Sequence, residues 1–132
     1  QLIEEAGGFT ENPSKIILGG PMMGVAQQSI DVPLLRGTSG ILVLTEDEVS
    51  EYEERTCINC ARCVDACPTF LMPTQLAKFV QKDMLDEMEE YQINNCIECG
   101  SCSYVCPSNI PLVHYMRMGK AKVQARKRDN NE

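Results

Sequence analysis

The eight cysteines of this chain occur in two short runs, and their spacing is the strongest chemical signal in the sequence. The first run is CINCARCVDACP at 57–68, and the second is CIECGSCSYVCP at 96–107. Both follow the pattern C-x2-C-x2-C-x3-C-P, which is typical of proteins that bind 4Fe–4S clusters. Because each such cluster takes four cysteine thiolates, the sequence predicts two clusters.

The two runs form an internal repeat with an offset of 39 residues (96 − 57). In this pattern the fourth cysteine of each run binds the cluster of the other run. It follows its own loop by three residues and precedes a proline that turns the chain away. The predicted ligand sets are Cys57, Cys60, Cys63 and Cys106 for the first cluster, and Cys96, Cys99, Cys102 and Cys67 for the second.

Zinc and disulfides are the less favoured uses of these cysteines. Structural zinc prefers well-separated C-x2-C pairs, whereas each run here places three thiols at successive steps of the same length. Disulfides need an oxidising compartment, and the sequence shows no secretory signal.

With four thiolates on every cluster, no iron is left open for a substrate. The sequence therefore predicts outer-sphere electron transfer and no catalytic residue. His114 is the one histidine, and it is interpreted as a surface or core residue of a helix. Asp65 and Glu98 lie between the ligands, where they could tune a cluster potential but are more simply solvated loop residues.

Composition narrows the range of partners. The net charge of −7 argues against a nucleic-acid surface, and no apolar run reaches the roughly 18 residues of a membrane span. Aromatic residues are few and there is no Trp, so the apolar core should be thin. Bound metal is expected to supply much of the folding energy of residues 56–110. The first residue, Gln1, suggests a fragment of a longer chain.

The chain is predicted to be α+β, with a boundary near Thr45. Residues 1–45 should be β-rich, with strands at KIILGG (15–20) and GILVLT (40–45), and a third strand could lie between them. The GGPMMG segment at 19–24 matches neither phosphate-loop fingerprint and is interpreted as a tight turn.

Residues 46–132 should be helical around the cysteine loops. Thr45 and Glu48 form a capping box that predicts a helix over 46–55. Apolar spacing in the 28-residue spacer (96 − 67 − 1) predicts two short helices that break near Lys82–Asp83. A last helix should have Asn109 as its N-cap and Pro111 at its first position. Its apolar face is predicted to contain Leu112, Tyr115, Met116 and Val123.

Several linked motifs resemble the C subunit of the Rnf electron-transport complex. They are GGPMMG, GTSGILVLTEDE, CINCARCVDACP and CIECGSCSYVCPSNIPLV, in that order along the chain. The resemblance implies that 1–45 is the end of a soluble-ligand-binding β-grasp domain. It also implies that 46–132 is an α-helical ferredoxin module with two 4Fe–4S clusters.

The same resemblance implies a peripheral position on the cytoplasmic face of the bacterial inner membrane, with the other Rnf subunits as partners. The complex would be a translocase that oxidises NADH, and FMN and NADH would bind a missing upstream domain. Two alternatives stay open. The chain could be the iron–sulfur part of a cobalamin reductase or another flavin-dependent oxidoreductase, or a module whose clusters only hold the fold together.

Overall fold

A computed structural model describes residues 1–49 and 52–129 of the chain. The fold is α+β, as predicted, and it divides into two compact units, residues 1–51 and 52–132. The division lies a few residues beyond the predicted boundary at Thr45. The first unit carries the strands, and the second carries the cysteine runs and most of the helices.

The first unit is built on an antiparallel sheet of three short strands. After a short helix, α1 (Leu2–Glu5), come the strands β1 (Lys15–Leu18), β2 (Val25–Gln27) and β3 (Ile41–Leu44). β1 lies in the centre and pairs with both neighbours. Ile17, opposite Ala26 and Leu42, is buried, and the other strand residues are only partly covered or exposed. The two predicted strands are present, and β2 is the suspected third.

The GGPMMG segment is the turn that joins β1 to β2. The Gly24 N–H donates a hydrogen bond to the Gly20 carbonyl at 2.8 Å. A Cβ on Gly24 would lie 2.4 Å from that carbonyl oxygen and equally close to the Ile17 side chain, so the turn requires glycine there.

The predicted helix over 46–55 is wrong within the described residues. Only a single 3₁₀ turn, Glu46–Glu48, follows Thr45, and 52–61 has no regular structure. The capping contact itself exists, because the Glu48 carboxylate accepts hydrogen bonds from the Thr45 N–H and hydroxyl. Acidic residues repel one another along this segment, and Tyr52 is exposed and supplies no apolar contact, so a helix of this length is not stabilised.

In the second unit, the spacer forms the two predicted helices. They are α3 (Pro73–Gln81) and α4 (Leu85–Glu90), separated at Lys82 and at Asp83, whose φ is +54°. Pro73 occupies the first helical position, where its missing N–H costs nothing. Two short helices, α2 (Arg62–Asp65) and α5 (Ser101–Tyr104), lie inside the cysteine runs, and a 3₁₀ turn, Ile93–Asn95, precedes the second run.

The last helix, α6 (Leu112–Asp129), starts later than predicted. Pro111 lies just before it and accepts hydrogen bonds from the His114 and Tyr115 N–H groups through its carbonyl. Asn109 is not the N-cap, because it has a φ of +53° and lies outside the helix. None of the helices in the described ranges is long and apolar enough to cross a bilayer.

Helix α6 packs against α3 and α4 and buries most of the apolar face that the sequence predicts. Tyr115 is only partly buried at its edge. The most completely buried side chains of this core are those of Leu76, Val80, Met88, Ile93, Leu112, Met116 and Val123. Salt bridges from Arg126 to Asp86 (2.6 Å) and from Lys127 to Glu89 (2.9 Å) join the basic end of α6 to α4. Because these seven side chains are almost completely buried, the apolar core is larger than the composition suggested.

Gly119 is the point of closest approach between α6 and its neighbours. A Cβ there would lie 2.4 Å from the Ile93 side chain and 2.6 Å from the β-branched Val80 side chain. Glycine in a helix interior costs about 1 kcal/mol relative to alanine, so its presence here reflects the space that packing leaves.

We expect Gly119→Ala to lower the free energy of unfolding by about 1–3 kcal/mol, because overpacking outweighs the gain in helix propensity. Denaturant unfolding of the cluster-loaded chain measures this change. Gln124→Ala, at an exposed position of the same helix, should stay within about 0.5 kcal/mol of the parent. An unchanged or raised stability in Gly119→Ala would contradict the packing described here.

Candidate metal centre

The two cysteine loops have the same backbone conformation at matched positions. Asn59 and Glu98, which correspond in the repeat, both have positive φ, at +54° and +57°. Ala61 and Gly100 also correspond and begin α2 and α5 with φ of +61° and +82°. These left-handed residues curl each loop around its own sulfurs, which is the geometry a cluster-binding loop requires.

The curled backbone directs N–H groups at cysteine sulfurs. The Asn59 N–H donates to Cys57 Sγ at 3.5 Å, and the Glu98 N–H donates to Cys96 Sγ at 3.4 Å. Hydrogen bonds of this kind stabilise a thiolate and help to set the potential of a cluster bound to it.

Burial of the sulfurs changes their acidity. Burial raises the pKa of Cys102 to about 11, and the nearby thiols of Cys96 and Cys99 add to this effect. Burial also raises the pKa of Cys63 and of Cys96. Because buried thiolates that lie close together are unfavourable, a cationic partner must compensate for them if all are to be ionised.

The fourth cysteine of each run interacts with the opposite run. After burial and local hydrogen bonds, the pKa of Cys63 is raised further by Cys106, and that of Cys96 by Cys67. Cys67 also lines one cavity together with Cys96, Cys99 and Cys102. The structure thus places the four cysteines predicted for the second cluster in the lining of one cavity. Ligation itself stays a prediction.

Cys67 has hydrogen-bond donors that its motif did not predict. Its sulfur accepts the Leu71 N–H at 3.4 Å and is hydrogen-bonded to the Thr69 hydroxyl at 3.5 Å. Burial raises the pKa of Cys67, but the bonds from Thr69 and from neighbouring backbone N–H groups outweigh it and lower the pKa overall. Thr74 similarly acts to lower the pKa of Cys63, which burial nevertheless raises overall. The sequence signal for these hydrogen-bond donors was the pair of hydroxyl residues, Thr69 and Thr74, that follow Cys67 and Pro68.

The cysteines predicted for the first cluster differ in their surroundings. Cys57 lines a separate cavity with Ile110 and Leu112, and Cys60 is exposed. Within the described ranges, no three Cys, His, Asp or Glu side chains converge as a single metal ion would require. A four-iron cube instead distributes its thiolates over four corners. The buried sulfurs, the N–H groups directed at them and the cavity with four cysteines fit such a group.

Other residues considered from the sequence have simpler positions. His114 is exposed on α6, and its ring lies 6.4 Å from that of Tyr115. Asp65 is exposed. Glu98 differs from the solvated residue that was expected, because its carboxylate is paired with two basic side chains of α6.

Comparison with known families agrees with this class of site. Residues 50–108 match the 4Fe–4S dicluster domain family. The second unit is therefore an iron–sulfur domain, and electron transfer is the function that such a domain supports.

Curated relatives extend the similarity to nearly the whole chain. The C subunit of the Na⁺-translocating ferredoxin:NAD⁺ oxidoreductase complex of Acetobacterium woodii is 44% identical over 130 residues, which is 98% of this chain and 29% of that protein. The C subunit of the ion-translocating oxidoreductase complex of Rhodobacter capsulatus is 46% identical over 126 residues, covering 96% of this chain and 24% of that protein.

A third relative matches a shorter stretch more closely. The C subunit of the proton-translocating ferredoxin:NAD⁺ oxidoreductase complex of Clostridium ljungdahlii is 51% identical over 82 residues, covering 62% of this chain and 18% of that protein. The chain belongs to the family of these C subunits, the Rnf family whose motifs it resembles. It spans less than a third of the length of these relatives.

Proposed function

We propose that this chain carries electrons through two 4Fe–4S clusters, as part of the C subunit of an ion-translocating, NADH-oxidising Rnf complex. The observation that carries this proposal is the cavity lined by Cys67 together with Cys96, Cys99 and Cys102. It joins a thiol of the first run to three thiols of the second, as a two-cluster module with crossed ligation requires.

The ligand sets are those proposed from the sequence, Cys57, Cys60, Cys63 and Cys106 for one cluster and Cys96, Cys99, Cys102 and Cys67 for the other. When bound, the clusters would supply one-electron redox chemistry. The chain itself holds the sulfurs, donates N–H groups to them and excludes water from Cys63 and Cys102, which are buried. With four thiolates on each cube, no iron is left open to bind a substrate.

The upstream and downstream partners follow from the family. FMN and NADH would bind a preceding domain of the full-length protein, and the clusters would pass electrons to other Rnf subunits at the cytoplasmic face of the membrane. The first unit, residues 1–45 in the sequence prediction, would be part of a β-grasp domain. The names of the relatives give two different transported ions, the proton and Na⁺, so similarity to them does not select between the two.

Reversible reduction of the clusters tests the electron-transfer function. We expect the anaerobically reconstituted chain to accept electrons from a reduced flavoprotein and to return them to an oxidant over repeated cycles, followed by the visible absorbance of the clusters. A chain treated with a chelator is the control and should show no such change. Clusters that are lost on the first reduction, or that no flavoprotein reduces, would favour a purely structural role.

A further inference from the structure

The second cysteine loop is tied to α6 by an ion-pair cluster formed by Glu98, Arg117 and Lys120. The Glu98 carboxylate is 3.0 Å from Arg117 Nε and 2.7 Å from Lys120 Nζ. Lys120 also donates a hydrogen bond to the Cys96 carbonyl at 2.9 Å. One ammonium group therefore contacts both the backbone of a predicted ligand and the acidic residue between two ligands.

The charged side chains of this cluster are partly buried. The side chains of Lys120, Arg117 and Glu98 are 20%, 29% and 29% exposed. Charges in such partly buried positions are screened less by salt than charges at the surface.

At the matched positions of the repeat, the first loop has neither the acidic residue nor the Lys120 ammonium of this cluster. With the offset of 39 residues, Glu98 corresponds to Asn59 and Lys120 corresponds to Gln81, whereas Arg117 corresponds to Lys78, which is also basic and lines the cavity of Cys57. Neither amide can form an ion pair. Gln81 nevertheless lines the same cavity as Cys57, so the matched position also faces its cysteine loop.

We propose that Lys120 is a positioning residue for the second cluster. It holds the 96–99 loop on α6 and raises the reduction potential of that cluster alone. This inference rests on the proposed two-cluster function. Reduction adds an electron to the cluster, and a positive charge nearby stabilises the reduced form more than the oxidised form. Glu98 opposes this effect, because its negative charge stabilises the oxidised form.

Charge and position can be separated by two substitutions at the same contact. Lys120→Met removes the positive charge, and Glu98→Gln removes the negative charge, while both break the ion pair. An electrostatic role predicts opposite changes in potential, negative for Lys120→Met and positive for Glu98→Gln. A merely structural role predicts changes in the same direction, because both variants loosen the same loop.

The test is an EPR-monitored redox titration of the reconstituted 132-residue chain and its variants. We expect one of the two midpoint potentials to shift with the predicted signs while the other stays in place, and Lys120→Arg to restore the parent value. Gln81→Met, at the matched position of the repeat, should shift neither potential.

The inference would be overturned if iron analysis shows two intact clusters and Lys120→Met leaves both potentials unmoved. Shifts of the same sign in both charge variants with intact clusters would also overturn it. Failure of the parent chain to assemble two clusters would instead overturn the proposed function, and with it the inference. Iron content measured on every sample therefore separates the two failures.

Discussion

Cys67→Ala should damage the cluster held by residues 96–102, although Cys67 lies in the first run. The physical reason is the position of this thiol, which shares a cavity with Cys96, Cys99 and Cys102 and interacts electrostatically with Cys96. Iron content should fall from about eight per chain to about seven if a three-iron cluster remains, or to about four if the cube is lost. Mössbauer spectra with iron analysis measure the loss, and EPR of the reduced protein identifies the affected cluster.

Cys106→Ala is the matched variant, because Cys106 is the equivalent residue 39 positions further along the chain (106 − 67). It should damage the cluster of the 57–63 loop, since Cys106 interacts with Cys63. The two single variants should therefore alter different clusters, each one in the opposite run. If each variant altered only the cluster of its own run, crossed ligation would be excluded.

Removal of the metal should unfold the two cysteine loops while the rest of the second unit stays folded. The sequence alone suggested a loss of structure over the whole of 56–110. The structure narrows this expectation, because α3, α4 and α6 bury a core of their own around Leu76, Met88 and Val123. In the two loops only Cys63, Gly100 and Cys102 are buried, and metal binding there contributes folding energy directly.

Amide exchange followed by region in the metal-free chain measures this difference. Residues 57–67 and 96–106 should exchange at rates close to those of an unstructured chain, whereas α3 and α6 should stay protected. The cluster-loaded chain is the control and should protect the loops as well. Equal protection of loops and helices after complete removal of iron would contradict the expectation. A simultaneous loss of protection in loops and helices would contradict it too.

Sequence patterns predicted the elements whose pattern lies within their own residues. The Lys82–Asp83 break was visible because the apolar spacing is interrupted there, and the structure places a left-handed residue at Asp83. The cysteine spacing similarly indicated the class of site, because the ligands of each loop are close in sequence. Strands β1 and β3 were visible as short apolar runs next to glycine or threonine.

Features that depend on distant residues were not predicted. Thr45 and Glu48 form their capping contact, but the segment after them has no apolar partner, so the expected helix does not follow. Gly119 has no local signal for its role, because the crowding comes from Val80 and Ile93. The ion pairs of Glu98 had no local signal either, because its partners lie on a helix about twenty residues away.

The number of clusters is measured most directly by anaerobic iron and sulfide analysis of the chain, with EPR of the reduced sample. Two four-iron cubes predict about eight iron and about eight sulfide per chain, and an EPR signal from reduced 4Fe–4S clusters. Iron–sulfur absorption should appear on reconstitution and disappear with a chelator. Stoichiometric zinc in anaerobically purified protein, with no iron–sulfur absorption after reconstitution, would contradict the two-cluster electron carrier.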